Sequence, residues 1–86
     1  MRRLRCDAVQ RVEFTIEPFV EAAPGAHVTE PVEALRRLGF EVDVGPFGSS
    51  CTVGSEHVGD VVAAVARIAI AHGATHVNVD IEAVDS

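Results

Sequence analysis

Three segments of the chain alternate apolar and polar residues, and this period of two predicts β-strands that are buried on one face only. A fourth segment follows a glycine-rich turn at residues 45–48, which would close a hairpin. The four predicted strands are residues 11–17, 40–44, 49–53 and 76–82.

Two further segments carry apolar residues at helical spacing. The first predicted helix has Thr29 as its N-cap, tolerates Pro31 because that residue lies in the first turn, and ends at Gly39. The second is capped by Ser55 and closed by Gly73. The apolar residues of the first helix are Val28, Val32, Leu35 and Leu38, and those of the second are Val58, Val61, Val62, Val65, Ile68 and Ala69.

The order of these elements, β-α-β-β-α-β, predicts an α+β fold. Because crossover connections are right-handed and connections are short, this order favours a ferredoxin-like sandwich, with a four-stranded antiparallel sheet and both helices on one face. The length of 86 residues allows one domain. We expect residues 1–8 to be a basic lead-in and residues 9–86 to form a single ligand-binding domain.

Charge and composition exclude several classes of partner. Acidic residues outnumber basic ones by 13 to 7, which gives a formal net charge of −6. A nucleic-acid binder needs a basic face, so we expect no nucleic-acid partner. No apolar run is long enough to span a membrane, and no apolar segment of a signal peptide follows the basic N-terminus. We therefore expect a cytoplasmic protein with no membrane partner.

The stretch from Gly45 to Ser55 is the first candidate for function. Between Gly48 and Gly54 it places three hydroxyls and a thiol, where a core-filling strand would carry Val and Ile. If Cys51 packs under the helices, Ser50 and Thr52 reach the open face of the sheet, whereas a one-residue bulge would reverse this orientation.

We find no sequence signal of an enzyme. The chain has no glycine-rich phosphate loop, no nucleophile elbow and no pair of carboxylates clearly set for acid–base chemistry. No pair of histidines has the spacing of a standard metal motif. We expect a protein without a catalytic cofactor or a metal site.

Four short motifs, taken in order, resemble the YkoF-like thiamine-binding family. They are residues 14–19, 44–48, 49–51 and 73–77. The resemblance covers roughly residues 11–83 and implies a ferredoxin-like protein that binds thiamine or its hydroxymethylpyrimidine part without catalysis. It also implies a homodimer or homotetramer. Many single-domain relatives have an acidic residue and a glycine at the end of the third strand, where this chain has Thr52, Val53 and Gly54.

The resemblance also implies a set of ligand-binding residues. Hydroxyls and one amide could read the edge of the pyrimidine, phenylalanine rings could stack on it, and carboxylates could face the thiazolium cation. The ligand would lie on the hairpin and third strand, at the open face or a subunit interface. The candidate residues are Glu17, Phe19, Phe47, Ser49, Ser50, Cys51, Thr52, Asn78 and Asp80.

Two alternatives to ligand binding stay open. A small aliphatic core and a charge-crowded sheet face also suit a structural or regulatory module that oligomerises and has no affinity for thiamine. The acidic face together with His76 could instead bind a divalent metal weakly.

Overall fold

Four strands and two helices follow each other along the chain in the order β-α-β-β-α-β. The structure is a computed structural model that describes residues 9–18, 25–45 and 48–84. A short 3₁₀ turn, Ser55–His57, precedes the second helix. The elements are β1 (Val9–Glu17), α1 (Ala26–Arg37), β2 (Asp43–Val44), β3 (Ser49–Gly54), α2 (Val58–Ala71) and β4 (His76–Ala83).

The strands form one antiparallel sheet in the order β2-β3-β1-β4. The central strand β1 pairs with β3 on one side and with β4 on the other, and Val12 faces Cys51 and Ile81 across these two pairings. This is the strand order of a ferredoxin-like fold, so the predicted fold class is confirmed. The predicted lead-in at residues 1–8 lies outside the described residues.

The core lies between the sheet and the two helices. The inward side chains of β1 are Val12, Phe14 and Ile16, which are all buried as the alternation predicts. Leu35 of α1 and Val65 of α2 have no exposed surface and close the core from above. The opposite face of the sheet carries no helix, and the candidate site lies there.

The first helix begins earlier than predicted. Gly25 is its N-cap, and the Gly25 carbonyl accepts hydrogen bonds from the backbone of Val28 and Thr29. Thr29 therefore lies inside the helix, and its hydroxyl donates back to the same carbonyl at 3.4 Å. Pro31 lies beyond the first turn, and Leu38 is 63% exposed instead of buried.

The second strand and second helix also differ from prediction. The strand β2 has only two residues, and Val44 is 55% exposed because it lies at the edge of the sheet. The backbone just before β2 is held by a side chain and not by strand pairing: Arg36 Nη2 donates a hydrogen bond to the Val42 carbonyl at 3.0 Å. The helix α2 begins at Val58, after the 3₁₀ turn, and not directly after Ser55. The predicted closing glycines are confirmed, since Gly39 and Gly73 have φ of 98° and 100°.

Candidate functional site: a cleft on the open sheet face

The orientation of β3 is settled by its burial pattern. Cys51 and Val53 are buried under the helices, and Thr52 is exposed on the other face. Ser50 pairs with Glu13 of β1 and Asp43 of β2, so its side chain shares the open face with theirs. No bulge interrupts the register between β1 and β3.

One row of side chains crosses the whole open face. Residues that pair directly in an antiparallel sheet lie side by side on the same face, and the register sets Asp43, Ser50, Glu13 and Asp80 next to each other in that order. The row therefore holds three carboxylates around one hydroxyl. These residues line a cleft of about 470 Å³, a size suited to a small organic molecule.

The neighbouring row forms the other side of the cleft. Thr15 of β1 pairs with Asn78 of β4, and both line the cleft. Gly48 closes the end nearest the hairpin, where an added Cβ would lie 2.9 Å from Thr15 Cγ2. The hairpin is held by a hydrogen bond of 2.7 Å from the Gly45 amide to the Gly48 carbonyl. The cleft thus offers an amide and two hydroxyls beside the carboxylates.

The cleft is electrostatically negative. The only arginine on the described open face is Arg11, which pairs with Glu13 at 3.3 Å and with Glu82 at 2.9 Å. Within the part of the chain that the structure describes, Asp43 and Asp80 take part in no ion pair. Such a cleft favours a ligand with positive charge or with several hydrogen-bond donors.

Four of the predicted site residues line the cleft, namely Ser49, Ser50, Asn78 and Asp80. Thr52 lies on the same face but opposite Arg11, in the row beyond the cleft. Glu17 lies at the far end of β1, where its carboxylate is 3.7 Å from His76 Nδ1. The predicted stacking rings, Phe19 and Phe47, lie outside the described residues.

Of the two predicted site residues on the buried face of β3, Cys51 needs correction. The side chains of Ser49 and Cys51 point to the helices, because they alternate with Ser50 along the strand. Ser49 is buried although it lines the cleft, whereas Cys51 does not line the cleft. Burial raises the pKa of the Cys51 thiol, which keeps it protonated and unreactive.

Glu13, Thr15 and Asp43 also line the cleft, although they are not among the predicted ligand-binding residues. They line the cleft because of the register between strands, which brings residues far apart in sequence into one row. Alternation alone carries no signal for register, since it reports the face of each residue and not its cross-strand neighbour.

Comparison with known proteins gives a fold likeness. No protein-family model matches the chain, and no curated protein matches it. A solved structure described as a domain of unknown function, DUF77, from Bacillus cereus is similar to it with a TM-score of 0.64. The match covers 92% of this chain and 78% of that chain at 17% sequence identity. This likeness supports the ferredoxin-like fold.

Two features of the described residues bear on other functions. None of the helices there has the length and apolar character needed to cross a membrane. Nor do three or more His, Cys, Asp or Glu side chains within that part of the chain gather in an arrangement that could hold a metal ion.

Proposed function

We propose that this protein is a non-enzymatic, cytoplasmic binding protein for thiamine or its hydroxymethylpyrimidine part, with the open-face cleft as its binding site. The observation that carries the proposal is the row of Asp43, Ser50, Glu13 and Asp80 in a cleft of about 470 Å³. The choice of thiamine or hydroxymethylpyrimidine as the ligand comes from the sequence resemblance to the YkoF-like family. The ferredoxin-like fold is consistent with that resemblance.

The cleft offers complementary groups for both parts of thiamine. The amino group and ring nitrogens of the pyrimidine need both donors and acceptors, which Asn78, Thr15 and Ser50 supply. The thiazolium cation needs negative charge, and Asp80 and Asp43 lie at opposite ends of the acidic row. The resemblance adds Phe47 or Phe19 as a stacking ring.

Titration calorimetry with thiamine and with neutral hydroxymethylpyrimidine tests the proposal. We expect both to bind, and we expect thiamine to lose more affinity than hydroxymethylpyrimidine when salt is raised, because only thiamine carries a charge that salt can screen. The absence of heat with both ligands at millimolar concentration, together with an unshifted melting temperature, would show that the cleft has another function.

Two variants separate the cleft from the rest of the acidic surface. Asp80→Asn should weaken thiamine binding at least about fivefold and hydroxymethylpyrimidine binding less, since a nearby charge pair is worth on the order of 1 kcal/mol or more. Glu41→Gln removes the same charge from an exposed residue outside the cleft and is the matched control. Equal losses in the two variants would point to a general effect of net charge and not to this site.

A further inference from the structure

Within the described residues, the two helices supply no anion-binding group to the open-face cleft. Proteins hold phosphate groups with arginine, with lysine or with the N-terminus of a helix. The sequence contains no lysine, and the helix arginines, Arg36, Arg37 and Arg67, lie on the other side of the sheet from the cleft. The N-termini of α1 and α2 lie on that side as well. A phosphate group in the cleft would therefore find no partner on the helices.

Arg11 lies on the open face, but it stands outside the cleft and is already paired. It shares a row with Thr52 and Glu82, beyond the residues that line the cleft. Its guanidinium pairs with Glu13 at 3.3 Å and with Glu82 at 2.9 Å. A phosphate group could take this arginine only by breaking both ion pairs. The remaining arginines, at positions 2, 3 and 5, lie outside the described residues.

Each end of the acidic row carries an aspartate. Asp43 and Asp80 both line the cleft, and within the described ranges neither takes part in an ion pair. Neighbouring strands lie about 4.8 Å apart, so the row across the four strands spans about 14 Å. The Debye length at physiological salt is about 8 Å. A charge at any point along the row therefore lies within about one Debye length of Asp43 or Asp80.

We propose that the cleft selects thiamine against its phosphate esters, and that Asp43 and Asp80 exclude the esters by charge. The proposal rests on the proposed function of the cleft. Thiamine esters carry the phosphate on the hydroxyethyl arm of the thiazolium ring, so a thiazolium beside either aspartate brings the phosphate towards the same carboxylate. The phosphate adds about 1.5–2 negative charges, which turns an attracted cation into a repelled anion. Asp43 and Asp80 therefore determine specificity as well as affinity.

Titration calorimetry with thiamine, thiamine monophosphate and O-acetylthiamine tests the proposal. We expect the monophosphate to bind at least about tenfold more weakly than thiamine, because each repelled charge is worth about fivefold in affinity. The acetyl ester extends the same arm without adding charge, so it should bind nearly as tightly as thiamine. Equal weakening by the acetyl and phosphate groups would show that bulk excludes the esters, and would overturn the proposal.

The salt dependence of binding gives a second measurement. Raised ionic strength should weaken the binding of thiamine, because it screens an attraction, and should strengthen the binding of the monophosphate, because it screens a repulsion. Exclusion by bulk predicts no such strengthening. Weaker binding of both ligands at high salt would contradict exclusion by charge.

The double variant Asp43→Asn/Asp80→Asn removes both carboxylates from the ends of the row. It should weaken thiamine binding and strengthen monophosphate binding, so the ratio of their dissociation constants should change at least about fivefold in favour of the monophosphate. Glu41→Gln/Asp60→Asn removes the same charge from exposed residues outside the cleft and is the matched control. An equal change of the ratio in both double variants would assign the selectivity to net charge and overturn the proposal.

The results also separate this proposal from the proposed function of the cleft. If thiamine and its monophosphate bind equally well, thiamine binding stands and exclusion by charge is wrong. If neither thiamine nor hydroxymethylpyrimidine binds, the proposed function is wrong and the selection against phosphate esters falls with it.

Discussion

At the scale of single residues, Gly48 shows how the cleft depends on a missing side chain. A Cβ at this residue would lie 2.9 Å from Thr15 Cγ2 and 3.2 Å from the Phe14 carbonyl oxygen. Both distances are shorter than an ordinary contact, so glycine is needed here for close approach and not for a special backbone angle. The end of the cleft is therefore shaped by the contact between Gly48 and Thr15.

We expect Gly48→Ala to lower the free energy of unfolding by about 1–3 kcal/mol, because overpacking forces neighbouring atoms to move. Chemical denaturation measures this change. Thr15→Ser removes the methyl group that the new Cβ would meet, so Gly48→Ala should cost less in the Thr15→Ser background. An equal cost in both backgrounds would show that the Phe14 carbonyl, and not Thr15, limits the space.

At the scale of elements, a buried histidine joins α1 to the end of β1. His27 lies in the first turn of α1, and its Nε2 is 2.6 Å from the carbonyl oxygen of Pro18. The carbonyl can only accept, so Nε2 carries the proton and donates. The sequence does not reveal this contact, because His27 lies before the predicted start of the helix.

Replacing His27 with Ala should lower the free energy of unfolding by about 1–3 kcal/mol, since it leaves the Pro18 carbonyl without this donor. Denaturation with a far-ultraviolet circular dichroism signal measures the loss. His72 is exposed at the end of α2, and His72→Ala should change stability by less than about 0.5 kcal/mol. If the two variants lose the same stability, the hydrogen bond to Pro18 contributes little.

At the scale of the whole molecule, ligand in the cleft should stabilise the entire fold, because the acidic row that lines the cleft takes one residue from each of the four strands. A ligand that binds the folded protein and not the unfolded chain raises the melting temperature as its concentration rises. Thiamine should therefore raise the melting temperature of the wild type and of Glu41→Gln more than that of Asp80→Asn. Thermal unfolding at several thiamine concentrations measures these shifts, and equal shifts in all three proteins would show that Asp80 makes no contact with the ligand.

The sequence by itself determined the class of fold and the face of most strand residues. Val12, Phe14 and Ile16 alternate with polar residues, and their burial follows because alternate side chains of a strand point to opposite faces. The sequence-based predictions that are wrong concern the ends of helices and strands. Thr29 has the chemistry of a cap but lies inside α1, and Leu38 keeps the helical spacing although it is the exposed C-cap of that helix.

Only the tertiary structure decided which polar residues form the cleft. Asp43, Ser50, Glu13 and Asp80 come from four different strands, and their meeting depends on the register of three strand pairs. Alternation is a local property of each strand, whereas register is set by the turns, the core packing and the crossovers acting together. The sequence therefore identified an acidic open face, and the pairing of the strands placed the carboxylates in one row on it.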